Sequence, residues 1–165
     1  MLHLLQIVTL MLVAIAMACS LAHALELPGK LRLAKDVYFA VQAIYYPGFT
    51  IVGGFAEILG LIATAALLFF TPRDSAFQVT LLALIALVLM HATFWVVTQP
   101  ANRYWLREQK LTTAGSRFFG THKSATDWSQ VNWKSMRDKW EYSHVTRAVL
   151  SFAAVVLLAC AIAAT

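Results

Sequence analysis

Residues 4–30 read LLQIVTLMLVAIAMACSLAHALELPGK. From Leu4 to Leu25 there is no Asp, Glu, Lys or Arg. A helix needs about 20 such residues to cross the hydrocarbon core of a bilayer, so this run is expected to be a membrane span, closed by Pro28-Gly29. It lacks the basic n-region of a secretory signal and exceeds the usual apolar length of about 7–15 residues, so it is expected to be retained. The run ends on His23 and Glu26, two residues that are costly to place in lipid.

The same pattern recurs along the chain. Further spans are expected at about 49–70, 77–98 and 145–163, making residues 1–165 one all-α domain, an integral membrane four-helix bundle. Hydrophobic residues are 60% of the chain and charged residues 13%, against about 25% charged in soluble domains. The aromatic stretch Val37–Tyr46 is too short to span and suits an interface or a re-entrant helix. Asp74 or Ser75 is expected to cap the third span. Gln99-Pro100 is expected to interrupt it. The polar stretch 101–143 follows, with Trp133, Met136 and Trp140 on one helical face. It reads either as an interfacial helix leading into the fourth span or as a soluble cap. Trp128 also belongs to this stretch. Cys19 and Cys160 lie in different apolar runs and are expected to be free, buried thiols.

The net charge of +5 resides in connections, so a positive-inside bias accounts for it without nucleic acid. Lys30, Arg32 and Lys35 fall in the first connection. Arg103, Arg107, Lys110, Arg117, Lys123, Lys134, Arg137 and Lys139 fall in the third. Those two connections are expected to be cytoplasmic and both termini periplasmic, in a bacterial inner membrane. The bilayer is the first partner implied. A homo-oligomer or a larger membrane complex stays open.

Helical rise then places the ionisable residues at one depth, in the cytoplasmic half. His23 and Glu26 end the first span. Glu57 and His91 lie about two turns into the second and third. Asn102 follows the third, and His144 and Arg147 open the fourth. Phase puts His23 with Glu26 on one face, and Gly53, Glu57, Gly60 and Thr64 on another. His91, Trp95, Thr98 and Asn102 share a third face; His144, Arg147 and Ser151 share a fourth. Charges avoid lipid, so these stripes are expected to face inward. His23, Glu26 and His91 are candidate metal ligands, and iron, copper, zinc or haem would suit such donors. A metal-free site is equally workable, with a histidine base and an arginine holding an enolate or phenolate. Pairing of Arg147 with Glu57 or Glu26 would instead be structural. Trp95 and Phe94 are expected to serve packing.

Two stretches carry a resemblance. Val97-Thr98-Gln99-Pro100-Ala101-Asn102-Arg103 resembles the Thr, Pro and Asn ending of the third span in the anthrone oxygenase-like family of small four-helix membrane proteins. Trp140-Glu141-Tyr142-Ser143-His144-Val145-Thr146-Arg147 resembles that family's W-x-x-x-N/H-x-x-R entry to the last span. His23-Ala24-Leu25-Glu26-Leu27-Pro28 fits a subset of it. Fungal members oxidise anthrones to anthraquinones with dioxygen. The resemblance implies roles for Asn102, His144 and Arg147; depth and phase, not the resemblance, add Glu57 to them as a candidate catalytic residue. It implies an oxygenase-like oxidoreductase acting on a lipophilic aromatic or quinone-like molecule. The Trp-rich third connection and the His23/Glu26 pair depart from the fungal pattern. A non-enzymatic binder or a small subunit of a membrane complex is the alternative. A transporter is a weaker one, since four spans are few and no inverted repeat is visible.

Overall fold

The computed structural model describes residues 1–73, 75–106, 111–120 and 130–164. Asp74, Arg107, Lys110, Lys123 and Trp128, named above, lie outside the described residues. Among the described residues seven α-helices follow one another: α1 Leu2–Lys30, α2 Lys35–Gln42, α3 Gly48–Phe70, α4 Ser75–Thr93, α5 Gln99–Leu106, α6 Thr113–Phe119 and α7 Trp133–Ala163. A 3-10 turn, Ala43–Tyr45, follows α2, and a π-helical turn, Phe94–Thr98, joins α4 to α5. Among the described residues there is no strand. Four helical segments are long and apolar enough to cross a membrane: α1, α3, α4 through α5, and α7. The chain is an all-α, integral-membrane four-helix bundle.

The helices pack in a ring, α1 to α3 to α4 to α7 and back to α1, and the α3–α4 seam is the most sparsely packed. Large apolar side chains such as Ile7, Phe55, Leu82 and Phe152 point outward. The interior is built from small residues: Ala16, Ala56, Ala83 and Ala154, with Thr9, Thr64 and Ser151. Lipid tails are as apolar as Leu, so association depends on close packing of small residues rather than on burying large ones. Two of these hydroxyls bond back along their own helix: Thr64 Oγ1 donates to Gly60 O at 2.7 Å and Ser151 Oγ to Arg147 O at 2.7 Å, the i−4 bond open to Ser and Thr within a helix.

Three boundaries differ from the expected ones. α1 continues past Leu25 through Pro28 to Lys30; Pro28 removes one intrahelical donor, and Leu31 N still closes the last turn on Leu27 O at 3.0 Å. Lys30 is therefore not a connection residue; it is buried in the helix. Gln99-Pro100 does not end the third span. The π-helical turn just before it shifts the ladder, and the helix resumes as α5. π-bulges of this kind accommodate a helix irregularity without a break. The helix that carries the fourth span begins at Trp133, well before Val145. The Asn132 side chain caps it by accepting from Lys134 N at 3.0 Å, a cap type that starts helices reliably. Trp133, Met136 and Trp140 thus form the first turns of α7, and Trp140 packs inward with Tyr38, Tyr45, Tyr104 and Trp105. Both cysteines are free as expected, but only Cys19 is half-buried; Cys160 is exposed on the outer face.

The α1–α3 crossing depends on Gly60. A Cβ there would meet Val13 Cγ2 at 3.2 Å, whereas at Gly54 nothing lies within 4 Å. Gly60→Leu is expected to destabilise the bundle by about 1–3 kcal/mol through overpacking, and Gly54→Ala to leave it unchanged. Thermal unfolding in detergent reads both.

Candidate functional site

Glu57 is placed by the buried phase of α3 that also holds Gly53, Gly60 and Thr64. Its two oxygens have separate partners. Arg147 Nη2, from α7, donates to Oε2 at 2.6 Å. His91 Nδ1, from α4, lies 2.9 Å from Oε1. Trp95 Nε1 donates to His91 Nε2 at 2.9 Å. An indole nitrogen can only donate, so Nε2 accepts and the ring proton sits on Nδ1, directed at Glu57. The Arg147 guanidinium also lies over the Phe94 ring, 5.2 Å from its centroid, a cation–π arrangement. Trp95, expected to serve packing, instead caps His91. It is 48% exposed because the π-helical turn alters the phase expected for the His91, Trp95, Thr98 and Asn102 stripe.

One turn nearer the connections, the rings of His23 and His144 lie 4.1 Å apart. Tyr45, Phe49 and Trp140 enclose His23, with centroids at 4.4, 4.8 and 4.9 Å. His144 Nδ1 faces Arg147 Nη1 at 3.4 Å; arginine only donates, so the His144 ring proton belongs on Nε2. His23 Nδ1 has no hydrogen-bond partner and lies 3.9 Å from Glu26 Oε2. Asn102 Oδ1 accepts from Trp140 Nε1 at 2.7 Å, which ties α5 to α7.

A third layer escaped the sequence reading. Lys30 Nζ lies 2.8 Å from Glu26 Oε2 and 3.7 Å from Glu141 Oε1. Nζ makes no well-aligned hydrogen bond, so this pairing is electrostatic. It also lies over the Tyr45 and Trp140 rings at 4.5 and 4.8 Å. Tyr38 OH donates to Glu141 Oε1 at 2.8 Å and Tyr45 OH to Glu26 Oε2 at 2.6 Å. Burial, then the Glu141 charge and the hydrogen bond to it, pushes the Tyr38 phenol above its ordinary range. Burial, then the hydrogen bond to Glu26, does the same to Tyr45. Lys30 and Glu141 carried a signal, a lysine and a glutamate at the ends of two spans. Glu26 and Lys30 are an i, i+4 pair along α1, legible in spacing once the helix is carried through Pro28, whereas the approach of Glu141 depends on tertiary contact.

Glu57, His91, Asn102, His144, Arg147 and His23 line one cavity of 110 Å³ between the helices. Glu26 does not: its side chain is 43% exposed and is taken up by Lys30 and Tyr45. The expected ligand set His23, Glu26 and His91 therefore does not converge, since His23 stacks on His144 and His91 holds Glu57. Among the described residues, no three His, Cys, Asp or Glu side chains form a metal-binding group. What the cavity offers instead is an aromatic wall, an imidazole nitrogen without a partner, and a guanidinium. No family model, curated protein or solved structure matches the chain.

Glu57→Gln is expected to cost about 3–5 kcal/mol by leaving Arg147 uncompensated, and pairing it with Arg147→Met to recover most of that loss; thermal unfolding in detergent checks both. The raised phenols yield a pH limb. Above about pH 10 the unfolded chain releases tyrosine protons that Tyr38 and Tyr45 retain when folded, so stability falls as pH rises. In an absorbance titration these two of the five tyrosines should ionise only as the fold is lost, and Tyr38→Phe with Tyr45→Phe should flatten the limb.

Proposed function

We propose that the chain is a membrane-embedded, oxygenase-like oxidoreductase acting on a lipophilic aromatic or quinone-like small molecule. The observation that carries this reading is the unpartnered His23 Nδ1 inside an aromatic cavity that also holds Arg147. In this reading His23 is the base that takes an acidic proton from the substrate. Arg147, steadied by Glu57 and adjacent to His144, stabilises the oxyanion that forms. The electron-rich carbanion then reduces dioxygen. For an activated methylene the balance is R₂CH₂ + O₂ → R₂C=O + H₂O: two C–H bonds break, one oxygen atom enters the product and the other leaves as water. His91, oriented by Glu57 as a carboxylate orients a catalytic histidine, would serve as a positioning residue at the cavity wall. The resemblance of residues 97–103 and 140–147 to the anthrone oxygenase-like family supports the same reading.

The charge distribution supports an orientation in a bacterial inner membrane with the polar connections cytoplasmic and the termini periplasmic. With Lys30 withdrawn into α1, Arg32 and Lys35 still mark the first connection as basic.

A specific observation favours a second reading, a non-enzymatic binder of lipophilic molecules or a subunit of a membrane complex. Both Glu57 oxygens are taken by Arg147 and His91, which is a complete structural solution for a carboxylate in lipid. Oxygen consumption by the protein in lipid nanodiscs, with anthrones and naphthohydroquinones as substrates, separates the two. The oxidoreductase reading expects turnover that falls about 100-fold or more in His23→Ala and His144→Ala. Binding of these rings with no oxygen uptake, or uptake unchanged in both variants, would leave the binder reading standing.

A further inference from the structure

The wall of the cavity nearest the connections holds two groups that neither the bundle nor the ion pairs use. Gln42, the last residue of α2, is 5% exposed, and Trp105 of α5 is 4% exposed. Both line the cavity. Gln42 Nε2 and Trp105 Nε1 have no hydrogen-bond partner. The deeper wall holds a third such donor, Arg147 Nε. Arg147 lies seven residues along α7 from Trp140, about 10 Å deeper by helical rise, and Trp140 packs in the same aromatic layer as Trp105. Buried donors without partners are rare in folded proteins and call for an explanation.

We infer that the cavity takes a neutral ring carrying a hydrogen-bond-accepting oxygen at each end, a quinone-type dicarbonyl, with one oxygen received by Gln42 and Trp105 and the other by Arg147. The inference rests on the proposed ligand class and sharpens it. Indole and guanidinium can only donate, so they select acceptors. Lys30 is engaged by Glu26 and Glu141, so among the described residues the outer wall offers no free cation for a carboxylate, and a carbonyl suits it. The flanking Tyr45, Phe49 and Trp140 provide ring faces for a planar body. The enclosed 110 Å³ is close to the ~150 Å³ that holds benzene in an engineered core, so it matches one ring. Any tail or further ring leaves through the sparse α3–α4 seam, where Gly54 has open space beside it and Trp95 and Ile58 face outward.

Equilibrium binding to the intact protein in detergent tests this, with a short-chain alkyl-1,4-benzoquinone as probe and an alkylbenzene of equal chain length as its carbonyl-free control. The quinone is expected to bind at least about tenfold more tightly than the alkylbenzene. Gln42→Leu and Trp105→Phe are each expected to weaken the quinone about tenfold and the alkylbenzene not at all. The ligand-free melting temperature of Gln42→Leu should match or exceed that of the wild type, because it removes an orphaned donor, whereas Trp105→Phe also removes packing from the buried aromatic layer and is expected to melt a few degrees lower while remaining folded. Equal affinity for the two probes on the unaltered protein would overturn the inference without recourse to any variant. So would a quinone affinity unchanged in the folded double variant. Quinone binding with no oxygen uptake would sink the oxidoreductase reading and leave this subsite intact; oxygen uptake with no preference for the quinone would do the reverse.

Discussion

The bundle depends on how one carboxylate is neutralised. Glu57 sits about two turns inside an apolar helix, where an unpaired charge would cost more than the fold can spare. Its oxygens are received by Arg147 on α7 and His91 on α4, so one residue of α3 sets the register of two other helices. Arg147 then faces His144, and His144 lies on His23 of α1. All four spanning segments meet through this chain of contacts. The polar half of the bundle can therefore assemble in few ways, and the apolar half is held by close packing of small residues such as Gly60 against Val13.

Much of this was legible in the sequence, and for a simple reason. Hydropathy alone identifies spans, because a bilayer demands length and apolarity and little else. Rise and phase then placed Glu57, His91, His144 and Arg147 on inward faces at a shared depth, since a charge in lipid has so few alternatives. The failures occurred where local rules met tertiary context. Pro28 and Pro100 read as terminators, yet α1 carries the first and a π-helical turn absorbs the second. Glu26 shared a face with His23, but Lys30 and Tyr45 hold it at the rim. Trp133 and Met136 were correctly put on one helical face, while their continuity with the last span rested on a single Asn132 cap. Lys30 reads as a connection charge because Pro28-Gly29 reads as the end of α1; with the helix continued, Glu26 is its i, i+4 partner, and only Glu141 arrives by tertiary contact.

The site is layered, and the layers differ in how completely they are satisfied. The outermost, Lys30 with Glu26, Glu141, Tyr38 and Tyr45, pairs its charges but leaves Glu141 Oε2 without a hydrogen-bond partner. The innermost, Trp95 to His91 to Glu57 to Arg147, satisfies both Glu57 oxygens and leaves Arg147 Nε over. Between them lies the cavity, where His23 Nδ1, Gln42 Nε2 and Trp105 Nε1 remain without partners. The paired charges of the two flanking layers hold the walls in position, and the donors left over on Gln42, Trp105 and Arg147 belong to residues that line the space between them.

The continuous α7 has a consequence beyond the site itself. Its 31 residues extend about 46 Å, well beyond the roughly 30 Å of hydrocarbon, and the excess lies at the Trp133 end. A helix longer than the bilayer responds to bilayer thickness by tilting. His144 and Arg147 ride on that same rod, so a change in tilt carries them together past Glu57 and His23. The geometry of the cavity is in this way coupled to the lipid around it, and membrane composition becomes a variable of the site.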